Sequence, residues 1–398
     1  MASEYAQLDE VLAAVVDPEL DLALGETSMV RSARVRRHRA AIVVALPVAA
    51  WPTADEVRQR VHDAAVAVRG IDEVSIEIAV MDDGERAALR SRLRRSMEGT
   101  GSGDGEDHAG HDHAGHDHAG HDHGGQGHGG SSSPAFLQPG SSTRVIGISS
   151  GKGGVGKSSV TVNLAVALAR MGHRVGVLDA DVYGFSVPKM LGADHDPIVL
   201  GDMVIPTAVH GIRVLSMGFF VPDDQPVIWR GPMLHKAIEQ FLADAYWGEP
   251  DFMLVDMPPG TGDVTLSLAQ VMPRAEVVVV TTPQPAAQRV AQRSAFAARK
   301  LKLSVRGVIE NMSWFTGDDG TRYELFGRGG GESLAKDLGV PLLGQVPLVP
   351  SLRQGGDEGV PVAVAEANSE IALVFEALAG RVAALGPARV YRRELTLR

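Results

Sequence analysis

The residues best suited to chemistry form one glycine-rich segment, residues 151–158, with the sequence GKGGVGKS. It matches the pattern G-x-x-x-x-G-K-[ST], in which backbone N–H groups surround phosphates and the lysine reaches the terminal ones. An apolar segment at 143–149 precedes it and a helical pattern at 158–171 follows, so we expect a strand, a phosphate loop and a helix whose N-terminus faces the anion. In this pattern Lys157 is the phosphate lysine and the Ser158 hydroxyl is the expected Mg²⁺ ligand. The sequence therefore predicts a nucleotide-binding site.

Carboxylates stand at the ends of two other apolar runs. Asp256 ends the run FMLVD and is predicted to hold a Mg²⁺-bound water, because Mg²⁺ keeps most of its hydration shell. Asp179 and Asp181 end a second run, at a spacing that puts both on one face of a strand. Near phosphates, one of them would orient the attacking water and the other would support Mg²⁺. The spacing does not decide which acid does which, and the alternative is a pair of solvated turn acids.

Asn311 ends a further predicted strand, where its amide offers a donor and an acceptor to an adenine edge. No Asn-Lys-x-Asp element for guanine follows it, so ATP is favoured over GTP. The predicted nucleotide-binding residues are Gly151, Lys152, Gly153, Gly154, Val155, Gly156, Lys157, Ser158, Ser159 and Asn311. The predicted catalytic residues are Lys152, Lys157, Asp179, Asp181 and Asp256.

A histidine-rich segment repeats the unit His-Asp-His-Ala-Gly. Imidazole suits Zn, Ni and Cu, so this segment is a second candidate metal site beside the Mg²⁺ ligands Ser158 and Asp256. Its predicted ligands are His108, His111, His113, His116, His118, His121, His123 and His128. The alternative is a solvated low-complexity linker that binds metals adventitiously. A catalytic role is not expected, because nothing in such a segment fixes the ligands.

Composition excludes several classes of protein. The chain has 398 residues and no cysteine, so it supplies neither a disulfide, nor a cysteine nucleophile, nor a thiolate metal ligand. Its net charge of −11 argues against general nucleic-acid binding. No apolar run is long enough to cross a bilayer, and the acidic N-terminus lacks the order of a signal peptide. A cytoplasmic protein that binds neither membrane nor nucleic acid is expected.

Composition also divides the chain. We expect a small α+β domain at 1–97, a disordered Gly/Ser/His-rich linker at 98–142, an ATPase domain at 143–385 and a tail at 386–398. Within 143–385, near-continuous Val/Ile/Leu strands alternate with helices, which predicts an α/β fold with a mostly parallel sheet covered on both faces. The ligand would then lie at the carboxyl ends of the strands. A strand around 35–46 and one final helix over 364–385 are also expected.

The pair Lys152 and Lys157 resembles the deviant Walker A motif of the MinD, ParA and nitrogenase iron-protein class. Within that class, three stretches look like the Mrp/ApbC iron–sulfur cluster carriers: DADVYG at 179–184, DMPPGTGD at 256–263 and NMSWF at 311–315. The resemblance implies an ATPase that forms a homodimer around ATP, with Lys152 acting across the dimer interface. It also implies a role in iron–sulfur cluster assembly or transfer, with a scaffold protein or apoprotein clients as partners.

The chain departs from that family at the cluster ligands. Cluster-carrying members have a Cys-x-x-Cys pair after the Asn-Met-Ser segment, where this chain reads WFTGDDGTRY at 314–323. The N-terminal domain's usual cysteine position is taken by Trp51. Cluster binding would therefore need ligands other than thiolates, or the thiols of a partner. Two alternatives stay open: an ATP-gated switch of the ParA/MinD type, and a metallochaperone that uses the histidine segment.

Overall fold

The computed structural model describes residues 2–98, 136, 138, 141–182, 184–220, 231–260, 262–366 and 368–386. The histidine segment and the tail beyond residue 386 lie outside the described residues, so the predictions made for them stay predictions. Along the residues described, no helix combines the length and the apolar character needed to cross a bilayer.

The N-terminal part is a small α+β unit built on a three-stranded sheet. Its elements are α1 (Ala2–Ala13), β1 (Val16–Asp17), β2 (Leu22–Ala23), α2 (Leu24–Thr27), β3 (Val30–Arg36), β4 (Arg39–Leu46), α3 (Ala54–Val66), β5 (Glu73–Val80) and α4 (Asp83–Glu98). In the sheet, β4 lies between β3, antiparallel, and β5, parallel. The strand expected around 35–46 is present as β4, but it begins only at Arg39, because the chain reverses at Arg37 and His38, both with positive φ, and β3 and β4 form a hairpin.

The larger part holds an eight-stranded sheet in the order β10-β11-β7-β12-β6-β13-β14-β17. The strands are β6 (Arg144–Ser150), β7 (Val175–Asp179), β10 (Thr207–Val209), β11 (Ile212–Ser216), β12 (Phe252–Asp256), β13 (Glu276–Thr281), β14 (Ser304–Asn311) and β17 (Leu342–Val346). All neighbours pair in parallel except the edge strand β10. The prediction of a mostly parallel sheet is confirmed.

Helices cover both faces of this sheet, as predicted. They are α5 (Lys157–Arg170), α6 (Val187–Leu191), α7 (Gly231–Ala243), α8 (Asp263–Val271), α9 (Pro285–Lys300), α10 (Gly330–Leu338), α11 (Pro350–Glu358), α12 (Val362–Ala365) and α13 (Glu370–Ala384). Helices α7 to α10 bury their apolar residues in one core, and α5, α6, α12 and α13 bury theirs in a second. Each strand therefore has apolar cover on both sides, which explains its continuous Val/Ile/Leu sequence.

The final helix expected over 364–385 is present as α13, but it begins later, at Glu370. The chain forms α12 and then α13, and α11 before them was not predicted. The break has a local cause, because the Ser369 side chain accepts a hydrogen bond from the Ala372 N–H, 3.2 Å away, and so caps the start of α13.

A short hairpin joins the two parts of the molecule. Strands β8 (Ile198–Leu200) and β9 (Met203–Ile205) lie within the larger part of the chain, yet their buried side chains share a core with α1, α3 and the N-terminal sheet. Beside it, His195 Nε2 lies 2.9 Å from a carboxylate oxygen of Glu19, which is fully buried. The core of the N-terminal part is thus completed by side chains from the larger part.

Candidate functional site

The phosphate loop connects β6 to α5 at the carboxyl edge of the sheet, where the sequence predicted it. Two of its glycines are required by shape. Gly156 immediately precedes α5 with φ +77°, and a Cβ on it would lie 2.2 Å from the Asn311 amide nitrogen. A Cβ on Gly151 would lie 2.2 Å from the backbone nitrogen of Ala291 on α9. The loop is therefore held closely between α9 and the end of β14.

The carboxylate of Asp256 organises the start of α5. Its Oδ2 lies 2.5 Å from Lys157 Nζ and accepts a 2.6 Å hydrogen bond from the Ser158 hydroxyl. Its Oδ1 accepts a 2.6 Å hydrogen bond from the Thr161 hydroxyl. Asp256 is fully buried, so these charge-assisted contacts compensate the cost of burying its charge.

The sequence prediction missed Thr161. Its only signal is its position four residues after Lys157, which places it on the same face of a helix one turn later.

The oxygen donors at this point fit Mg²⁺. Ser158 supplies a hydroxyl and Asp256 a carboxylate, and hard oxygen ligands of this kind are the ones that Mg²⁺ prefers. Both are the residues predicted for that role. Elsewhere, among the residues that the structure describes, no group of three or more His, Cys, Asp or Glu side chains could hold a metal.

The two acids of the second run have different surroundings. Asp179 pairs in register with Asp256 across β7 and β12, and it is fully buried. Its Oδ2 accepts hydrogen bonds of 3.2 Å from the backbone N–H groups of Ser186 and Val187 at the start of α6. Burial, and then the charge of Asp256, raise the pKa of Asp179 to about 7. The Asp179 carboxylate is thus engaged by the backbone at the start of α6.

Asp181 instead faces the phosphate lysine. Its Oδ2 lies 3.6 Å from Lys157 Nζ, and the side chain keeps 12% of its surface exposed. The structure thus separates two residues that the sequence spacing left equivalent.

Lys152 has a different partner from Lys157. Its Nζ donates to Gln284 Oε1 at 3.3 Å, and both residues are half-buried. Gln284 immediately precedes α9 and was not among the predicted residues.

Asn311 lies under the loop. Its Nδ2 donates to the Val155 carbonyl at 2.9 Å, and its Oδ1 is buried with no hydrogen-bond partner in the described part of the chain. Ser159 is half-buried and uses its carbonyl to accept from Asn163 Nδ2 at 2.9 Å. Gly153 and Gly154 are exposed, and Gly154 has φ +78°. All ten predicted nucleotide-binding residues therefore lie in or directly against the loop.

The segment in the place of the Cys-x-x-Cys pair is a small hairpin of β15 (Phe315–Thr316) and β16 (Arg322–Tyr323). The Arg322 guanidinium lies 4.7 Å from the centre of the Trp314 ring. At the turn, Asp319 accepts hydrogen bonds from the N–H and the hydroxyl of Thr321, 3.0 and 2.8 Å away. Trp51, at the position where the resemblance places the N-terminal cysteine, donates from Nε1 to the buried Asp17 at 3.0 Å. Both positions carry structural contacts in place of thiols.

The mostly parallel sheet and the GKGGVGKS loop between β6 and α5 define the protein as a P-loop NTPase. Comparison with known proteins refines this class. A family described as "NUBPL iron-transfer P-loop NTPase" matches residues 141–383, and a family described as "Iron-sulfur cluster assembly protein" matches residues 6–78.

The chain is also 42% identical to the iron–sulfur cluster carrier protein of Mycobacterium leprae, over 90% of this chain and 88% of that one. It is similar to the solved nucleotide-binding protein of Archaeoglobus fulgidus in complex with ADP, with 34% identity, a TM-score of 0.50, and coverage of 58% of this chain and 91% of that one. It is also similar to the solved cell division ATPase MinD of Pyrococcus furiosus, with 27% identity and a TM-score of 0.47. That match covers 61% of this chain and 99% of the other. The chain belongs to the iron–sulfur cluster carrier family, which confirms the resemblance found in the sequence.

Proposed function

We propose that the chain is a homodimeric ATPase that serves the assembly of iron–sulfur clusters or their transfer to apoproteins. The observation that carries the ATPase part is the convergence of Lys157, Ser158 and Thr161 on the carboxylate of Asp256. This arrangement supplies the lysine, hydroxyl and acid that phosphoryl transfer requires. Family membership supports the link to iron–sulfur clusters.

The residues divide the work of hydrolysis. The loop N–H groups and Lys157 bind the β- and γ-phosphates. Ser158 and Asp256 would hold Mg²⁺, whose charge neutralises phosphate oxygens when it is bound. Asp181 accepts a hydrogen bond from the attacking water and so orients it. This role goes to Asp181 because it faces Lys157, whereas Asp179 accepts hydrogen bonds at the start of α6. Lys152 reaches the phosphates of the partner subunit's nucleotide, as the resemblance implies.

The cluster is the cargo of this reaction, and its thiolate ligands must come from elsewhere. No cysteine is present anywhere in the sequence, so the two positions where the family carries thiols cannot ligate iron through sulfur. A scaffold protein or an apoprotein client would supply the thiols. ATP turnover in this chain then promotes the exchange between two thiol-bearing partners.

Steady-state hydrolysis of Mg-ATP tests the enzymatic part. The wild-type protein should release phosphate, and Lys157→Ala and Asp181→Asn should each abolish most of the release. Lys157→Ala should also lose ATP binding, whereas Asp181→Asn should keep it, because only the latter is assigned to the water. Full activity in either variant would contradict the assigned roles.

Anaerobic transfer assays test the cargo. With iron and sulfide alone, the protein should develop no cluster absorbance. With a cluster-loaded, thiol-bearing scaffold and an apoprotein, its addition with ATP should accelerate transfer. A stable cluster on this chain alone would overturn the requirement for partner thiols. Transfer that is unaffected by the protein and ATP would remove the proposed function.

A further inference from the structure

The two lysines of the phosphate loop are held by different chemistry. Lys157 Nζ lies 2.5 Å from Asp256 Oδ2 and 3.6 Å from Asp181 Oδ2. The hydrogen bond of the Lys152 ammonium that the structure gives goes to the neutral amide oxygen of Gln284. An ammonium held by an amide keeps its charge uncompensated, so it stays attractive to phosphate oxygens.

Gln284 is a firm anchor for such a contact. It is the N-cap residue of α9, and its carbonyl accepts hydrogen bonds from the N–H groups of Ala287 and Gln288, 3.0 and 3.1 Å away. Prolines flank it on both sides. Pro285 fixes the first helical residue, and the Pro283 carbonyl packs so closely on Gly330 that a Cβ there would lie 2.2 Å away. The backbone of Gln284 is therefore held in a fixed position beside the loop, and its side chain extends from there.

We propose that Gln284 is a positioning residue that retains Lys152 within its own subunit until ATP brings two subunits together. The inference rests on the proposed dimeric ATPase, in which Lys152 crosses to the partner subunit's nucleotide. Lys152 must leave Gln284 to make that crossing. The strength of the retaining contact then sets how readily the dimer forms, while it leaves the binding of ATP to one subunit unchanged.

Two substitutions separate this role from a structural one, because they act in opposite directions. Gln284→Ala removes the retaining contact and should lower the ATP concentration for half-maximal dimerisation by about threefold or more. Gln284→Glu replaces the amide with a carboxylate that pairs with Lys152, and it should raise that concentration by about threefold to fivefold, as expected for a partly exposed ion pair. The defect of Gln284→Glu should shrink with added salt, since a partly exposed ion pair is screened.

Dimerisation is measured by light scattering against ATP, turnover by phosphate release, and ATP binding to single subunits with a fluorescent nucleotide. The matched controls are Gln288→Ala and Gln288→Glu. Gln288 stands one turn along α9 and bonds Ser333 on α10, 2.9 Å away, so neither control should shift dimerisation.

A fall in dimerisation and turnover in both Gln284 variants would overturn the proposal, because it would show that Gln284 supports Lys152 in its active position. If Lys152→Ala itself dimerises and turns over ATP as the wild type does, the proposed role of Lys152 at the partner subunit's nucleotide is wrong. That outcome is distinct from a failure of Gln284.

Discussion

Asp179 and Asp256 lie side by side in register on β7 and β12, and both carboxylates are fully buried. Lys157 Nζ lies 2.5 Å from Asp256 Oδ2, so this lysine compensates mainly the charge of Asp256. Burial and the neighbouring charge raise the pKa of Asp179 to about 7, from an ordinary value of 3.8. The nucleotide site therefore contains an acid that changes its charge near neutral pH.

The first prediction concerns stability against pH. An acid whose pKa is raised in the folded protein contributes stability below its unfolded-state pKa, and this contribution is lost as the pH rises through the folded-state value. The free energy of unfolding should therefore fall between pH 6 and pH 8, by about 1 kcal/mol from Asp179. Asp179→Asn, which mimics the protonated acid, should remove this part of the dependence. Denaturant titrations of the wild type and of Asp179→Asn at the two pH values measure the free energy of unfolding. An equal change of this free energy with pH in the two proteins would contradict the assignment.

A second prediction concerns Thr161, which the sequence did not reveal. Thr161→Val keeps the shape of the side chain and removes the 2.6 Å hydrogen bond to Asp256. A hydrogen bond to a charged group contributes about 1.5–3 kcal/mol, so turnover should fall about tenfold. Thr161→Ser should restore it, because the hydroxyl returns. A valine variant with wild-type turnover would show that Thr161 does not orient Asp256.

The third prediction concerns the joint between the two parts of the molecule. His195→Ala leaves the buried carboxylate of Glu19 without its 2.9 Å partner. Burial already raises the pKa of Glu19, and the charge of His195 opposes that rise. Loss of the partner should cost about 1–3 kcal/mol of unfolding free energy.

Glu19→Gln in the same chain should recover part of that loss, since a neutral side chain needs no counter-charge. The exposed pair of Arg94 and Asp202 is the control, and breaking it should change stability by less than about 1 kcal/mol. If breaking the Arg94–Asp202 pair lowered the free energy of unfolding as much as His195→Ala does, the buried pair of His195 and Glu19 would have no special role.

The histidine segment gives a fourth prediction. Deletion of residues 105–130 should abolish binding of Zn²⁺ or Ni²⁺ by an untagged protein, because imidazole is the ligand that these ions prefer. ATP turnover should stay unchanged, since every residue assigned to the nucleotide lies between Gly151 and Asn311. Isothermal titration with each ion, followed by phosphate release, measures both. Metal binding that survives the deletion would place the ligands elsewhere in the chain.

Local motifs made the phosphate loop, Asp256 and the sheet predictable. The glycines of residues 151–158 determine the shape of the phosphate loop. Strands that are apolar along their whole length must be covered by helices on both faces of the sheet. Contacts between distant residues were not predictable. Lys152 and Gln284 stand 132 positions apart, and a fixed helix start brings them together.

Short strands and helices could not be predicted from the sequence for a different reason. Strands β8 and β9 have three residues each, too few for a periodic pattern, so nothing in the sequence showed that they complete the N-terminal core. The roles of Asp179 and Asp181 also needed the structure. Their spacing is that of any two alternate strand residues, and the position of α6 distinguishes them.

The central claim is that each nucleotide is completed by Lys152 from the other subunit. A mixing experiment tests it most directly, with Lys152→Ala and Lys157→Ala prepared separately and phosphate release measured for each alone and for the mixture. Each variant alone should be almost inactive. The mixture should regain turnover, because the Lys157→Ala subunit supplies Lys152 to the intact nucleotide site of the other. No recovery on mixing, or full turnover by Lys152→Ala alone, would contradict the claim.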